Sequence, residues 1–93
     1  MKIEFPKVPP DVATTLVGAT VVNIISFPAV VDGRRFLNSI SFAALIRHFD
    51  AASDSQVDAK RAFESGRERI LAVTQDRLGG NGARPVHLTE GDF

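Results

Sequence analysis

Two histidines are the side chains in this 93-residue sequence best suited to proton transfer or metal binding near neutral pH, because imidazole is the side chain whose unperturbed pKa lies there. His48 has Asp50 close by, and His87 is followed by Glu90 and Asp92. Either group has the composition of an acid–base pair or a metal site, which would make the chain a small enzyme or metal-binding protein. The spacing matches no H-E-x-x-H motif, Gly-rich phosphate loop or nucleophile elbow. His48 falls off the apolar stripe that contains Leu45 and Phe49, and His87 alternates away from Val86 and Leu88. Both histidines therefore read as surface residues. The sequence has no cysteine, which removes disulfides and thiolate ligands from consideration. The expectation is that the chain has no catalytic residues, no metal and no cofactor.

A second chemistry is phosphate contact. Lys60, Arg61, Arg67, Arg69 and Arg77 fall on one expected helix, which makes a regulatory nucleic-acid binder the alternative reading. At roughly 100° per residue, Arg61 stands about 100° from Lys60 and Arg69 about 180° from it. Glu64 and Glu68 fall among these cations, and Lys60–Glu64 and Glu64–Arg67 are ordinary helix-surface pairs. No aromatic is interleaved for base stacking. Lys plus Arg and Asp plus Glu both number 11, so the basic excess that drives counterion release is absent. A solvated, mixed-charge face is the simpler account.

A third candidate is contact with a second copy of the chain. Leu71 and Leu78 lie near the Lys60–Arg67 side of the helix, and Ile24, Val30 and Leu37 share the weaker face of a β-hairpin. Apolar residues on two sides of so short a chain suit a homodimer, these five forming its interface. Another protein could also bind there.

The elements that would position these residues follow from periodicity. Ile3 and Phe5 alternate with Lys2 and Glu4 as a short strand, and Pro6, Pro9 and Pro10 stop it. Pro6-Lys7-Val8-Pro9 spells P-x-x-P and reads as an extended linker. Residues 12–20 receive no element. Val21–Val31 and Arg34–Ile40 flank Asp32-Gly33, the preferred chemistry of a two-residue type I′ turn. Setting Val31 against Arg34 pairs Ala29 with Phe36, Phe27 with Asn38 and Ile25 with Ile40 on the stronger, core face. Pro28 implies an edge or a bulge.

Ser41 then caps a short helix bearing Phe42, Leu45, Ile46 and Phe49. Ser53 or Ser55 caps a second helix running from about Asp54 to Leu78. Its apolar arc holds Ala59, Ala62, Phe63, Gly66, Ile70 and Val73. A mid-helix glycine costs about 1 kcal/mol relative to Ala, so Gly66 signals close packing by another element. Gly79-Gly80 ends the helix, residues 79–84 form a Gly-rich loop, and Pro85–Thr89 makes a last short strand. The predicted fold is a single α+β domain, a two-layer sandwich. It has an antiparallel sheet in β-β-β-α-α-β order and two helices packed on one face.

Ile3-Glu4-Phe5-Pro6, Phe27-Pro28-Ala29-Val30-Val31-Asp32-Gly33 and Ile40-Ser41-Phe42-Ala43-Ala44-Leu45 with Phe49 resemble a family of small bacterial proteins, the domain of unknown function 1488 family. The resemblance implies an initial strand, an F-x-A-x-V-D-G hairpin, an I-S-x-x-A-L helix start, a long helix and a terminal strand near Asp92-Phe93. Family members often complete a capping box with an acidic residue where this chain has Ala44. The shared motifs are turn, cap and core, so the resemblance implies a fold and no chemistry. The sequence shows no apolar segment of ~20 residues to span a bilayer and no signal-peptide pattern at its start. The expectation is a cytoplasmic, non-enzymatic interaction or accessory protein, homodimeric, with no membrane or nucleic-acid partner.

Overall fold

Asp32 and Gly33 both adopt left-handed backbone, with φ of 50° and 85°, as a two-residue type I′ turn requires. The turn sets the register between β3 (Thr20–Val31) and β4 (Arg34–Ser41). Val31 faces Arg34, Ala29 faces Phe36, Phe27 faces Asn38 and Ile25 faces Ile40, as expected. Described here is a computed structural model, covering every residue except Met1 and Ala83. The element order is β1 (Ile3–Glu4), β2 (Asp11–Val17), β3, β4, α1 (Phe42–His48), α2 (Gln56–Ser65), α3 (Arg67–Gly80) and β5 (His87–Leu88), with a 3₁₀ turn at Glu90–Asp92.

The class is α+β, and three details differ from the expectation. First, residues 11–17 form β2, which pairs along its whole length with β3 from Asp11–Ser26 to Val17–Thr20. The turn between them is Gly18-Ala19, with Gly18 at φ 63°, so glycine supplies the positive φ at the first central position. Second, the sheet is mixed. β5 runs parallel to β4, with Ser39 beside His87 and Ile40 beside Leu88. Third, the long helix breaks at Gly66 into α2 and α3, and the second of these runs on through Gly79 and Gly80 to an Asn81 cap. The predicted loop at 79–84 is thus shortened from its start, and Ala83 lies outside the described residues.

β1 and β2 occupy the same edge of β3, one at each end. Alternation from the hairpin turn points the amide positions of Val30, Pro28, Ser26 and Ile24 toward that edge. β1 ends opposite Val30 and β2 begins opposite Ser26, so Pro28 sits in the gap between them. A residue with no N–H loses nothing there.

The helices cover the face that carries Ile25, Phe27, Ala29, Val31 and Ile40, and Phe42, Leu45, Ala59, Ala62, Phe63, Ile70 and Leu78 complete the core. The Phe27 and Phe63 rings meet at 5.4 Å between centroids. Asn38 is buried on this core face, and its two ends are both used. Its Nδ2 donates to the Phe27 carbonyl at 3.4 Å, and its Oδ1 accepts from the Val86 amide at 3.0 Å. It thereby ties β5 to the hairpin at no cost in unpaired polar atoms.

Candidate interaction surface

His48 is half-buried at the end of α1, and its Nε2–H donates to the Glu90 carbonyl at 2.8 Å, since a carbonyl can only accept. Its ring also lies 5.6 Å from that of Phe93. His87 stands on the opposite side of the sheet, where Nδ1 meets Ser39 Oγ at 2.7 Å. Each histidine thus joins one element to another, His48 to the C-terminal segment and His87 to β4. Neither has a carboxylate among its hydrogen-bond partners. Among the described residues, no group of three or more His, Asp or Glu side chains is placed to hold a metal ion, and no buried side-chain N or O atom lacks a partner.

The cations of the expected helix divide between two elements and two roles. Lys60 and Arg61 project from the exposed face of α2. Arg67 pairs with Glu64, donates to the Val8 carbonyl at 3.3 Å and stacks over the Phe63 ring at 5.0 Å. That partnership holds the Glu64 carboxyl below its ordinary pKa, chiefly through the Arg67 hydrogen bond. Arg69 lies 5.4 Å from the ring centroids of both Phe49 and Phe93. Arg77 pairs with Asp92, whose other oxygen accepts from the Thr89 amide at 2.7 Å. These contacts dock the C-terminal segment on α1 and α3 and spread the positive charge among internal partners.

The five candidate interface residues do not form one surface. Leu78 is fully buried in the core, and Ile24 is only 7% exposed. Leu71 is half-buried against the core and Val30 half-buried in β3. Leu37 alone is exposed, at 61%. Leu78 lies with Ile70 and Thr74 on the buried stripe of α3, the three spaced four residues apart.

The exposed apolar residues gather elsewhere. Beyond Ile24, which faces the last residue of β4, β2 and β3 continue alone as a two-stranded ribbon with Thr14–Val17 on one strand and Thr20–Asn23 on the other. Among the described residues, three of the seven large apolar side chains that are exposed belong to this ribbon: Leu16 at 67%, Val21 at 65% and Val17 at 49%. The others, Val8, Leu37, Ile46 and Val57, come singly from four different elements or loops. Leu16 and Val21 are direct cross-strand partners. They share the face of Val12 and Ile25, so the ribbon extends the core-facing side of the sheet beyond the body. Sequence reading missed this site because residues 12–20 carry no familiar turn dipeptide, and Gly18 alone marks the bend.

Two concave regions lie elsewhere among the described residues. A cleft of about 230 Å³ is lined by Phe49, Asp50, Ala52, Asp58, Arg61, Ala62 and Ser65. A groove of about 370 Å³ lies between the Pro-rich segment and the helices, bounded by Lys7, Val8, Pro9, Pro10, Glu64 and Arg67. Neither contains a histidine. No helix among the described residues is long and apolar enough to cross a membrane.

Fold and surface together define a small α+β domain whose most distinctive feature is a projecting apolar ribbon. The family model described as protein of unknown function (DUF1488) matches residues 22–88, and the chain belongs to that family. β1 and β2 lie outside the matched span. Neither the comparison with curated proteins nor that with solved structures returns a match.

Proposed function

We propose that the protein is a non-enzymatic, homodimeric interaction protein of the bacterial cytoplasm. The observation that carries this reading is the β2–β3 ribbon, whose paired Leu16 and Val21 are each about two-thirds exposed. An isolated two-stranded ribbon is marginal in water, and contiguous exposed apolar surface marks association sites more than scattered residues do. A formal net charge of zero removes long-range repulsion between copies. A cysteine-free chain fits a reducing compartment.

The test is size-exclusion chromatography with light scattering. The expected species has twice the chain mass, and Leu16→Ser with Val21→Ser returns it to the chain mass with an unchanged far-UV spectrum. A wild-type chain that stays monomeric from micromolar to millimolar concentration overturns the reading.

A further inference from the structure

The backbone of β2 specifies how two copies would join. Val17 and Thr20 flank the two-residue turn, so they are a hydrogen-bonded pair, and alternation makes Thr15–Val22, Ala13–Ile24 and Asp11–Ser26 hydrogen-bonded as well. The amides and carbonyls of Val12, Thr14 and Leu16 then point the other way, to an edge that no strand among the described residues covers. Pro9 and Pro10 bound this edge at one end, where Pro10 can donate nothing, and the Gly18-Ala19 turn bounds it at the other.

We infer that the protein dimerises by antiparallel pairing of β2 with β2 of a second copy, about a two-fold axis at Thr14; the inference rests on the homodimeric reading above. In this register Thr14 faces the partner's Thr14, and Val12 faces the partner's Leu16. Every open amide and carbonyl on both strands is thereby satisfied. Moving the axis to Ala13 sets Leu16 against Pro10, and moving it to Thr15 sets Val12 against the Gly18 turn, so each alternative leaves groups unpaired. The register is self-complementary, as a two-fold interface must be.

Side chains and charge agree with it. Val12, Thr14 and Leu16 all lie on the helix-covered side, opposite Ile25, Asn23 and Val21. Val12 already packs against the core, so the partner's Leu16 adds to the rim of that core. The one charged residue of β2, Asp11, comes opposite Val17 instead of another carboxylate. The partner's turn reaches Pro10, beside the groove lined by Val8, Pro9 and Pro10. Two five-stranded sheets become one continuous sheet, and the projecting ribbons become its four-stranded centre.

The absence of native cysteine makes the register directly readable. Hydrogen-bonded antiparallel residues stand ~5.5 Å apart at Cα, within disulfide range. Thr14→Cys should therefore form a covalent dimer in most chains under mild oxidation. Leu16→Cys should not cross-link with itself, because the two positions lie about 14 Å apart at ~3.4 Å per residue. An equimolar mixture of Val12→Cys and Leu16→Cys chains should cross-link. Thr14→Pro should halve the mass seen by light scattering. A wild type of twice the chain mass whose cross-linking peaks at Leu37→Cys, or anywhere but residue 14, sinks this register and leaves the homodimer standing. A wild type that is monomeric sinks both, and β2 pairing with a strand of a different protein would show that the occupant is not a second copy.

Discussion

Gly66 has φ −101°, a backbone conformation open to any residue, yet a Cβ placed there would overlap the ring of Phe49. The glycine is thus held by packing and not by dihedral preference. Gly66→Ala should destabilise the fold by about 1–3 kcal/mol, the usual cost of overpacking. In a Phe49→Ala background the same change should cost almost nothing, and equilibrium urea unfolding of the four variants gives the coupling. This position was legible: a glycine within an apolar arc implied a close neighbour, and Phe49 supplies it. Asp58 was less so. The Ser53 hydroxyl donates to its Oδ2 at 2.7 Å and holds its carboxyl below the ordinary value, with Ser55 and Arg61 acting in the same direction. A folded-state pKa below the unfolded one means stability that is present above the carboxylate range and lost as pH falls through it. Asp58→Asn should therefore flatten the acid limb of stability against pH, measured by thermal melts from pH 6 downward. An unchanged limb would show that Ser53 contributes nothing there.

At the scale of elements, the hairpin and the helix start were readable because their chemistry is local. Asp32-Gly33 sets one register, and Ser41 Oγ accepts from the Ala44 amide at 3.1 Å without the acidic residue of a capping box. What sequence did not disclose depends on distant partners. β5 runs parallel to β4, and beside it buried Asn38 accepts from the Val86 amide, a contact between residues 48 apart. β2 was hidden by a change of phase. Ile3 faces Val31 and Val12 faces Ile25, so odd residues turn inward in β1 and even ones in β2. The connection, residues 5–10, sets six residues against three of β3 (27–29), and this odd excess inverts the alternation. The same phase makes a sharp prediction. Proline at Thr15 removes a bond to β3 and should cost about 1–3 kcal/mol in urea unfolding, whereas proline at Thr14 removes one only from the open edge. Equal destabilisation of the isolated chains would refute the assigned alternation.

On the scale of the whole molecule, the fold engages His48, His87, Arg67, Arg69, Arg77 and Phe93 in holding elements together, and leaves its ribbon extending past β4. Two apolar residues that the sequence suggested for the surface lie inside, Leu78 on the buried stripe of α3 and Ile24 at 7% exposure, while Leu16 and Val21 become neighbours only when residues 11–17 fold back as a strand. Backbone hydrogen exchange can weigh this arrangement one amide at a time. In a monomer, the amides of Ala13, Thr15 and Val17 are bonded to β3 and should exchange slowly, while those of Val12, Thr14 and Leu16 face water and should exchange fast. Protection of this kind reports the free energy of opening, and association adds to it in proportion to the logarithm of concentration. Raising the protein concentration a hundredfold should therefore slow the even-numbered amides progressively and selectively, with Thr14 at the centre of the effect. Leu37, at 61% exposure on the other face, should keep a concentration-independent rate. Protection that rises at Leu37 instead would move the contact to the β4 edge of the sheet, to which the Leu37 amide points, and rates flat everywhere along β2 would leave its open edge to a different occupant.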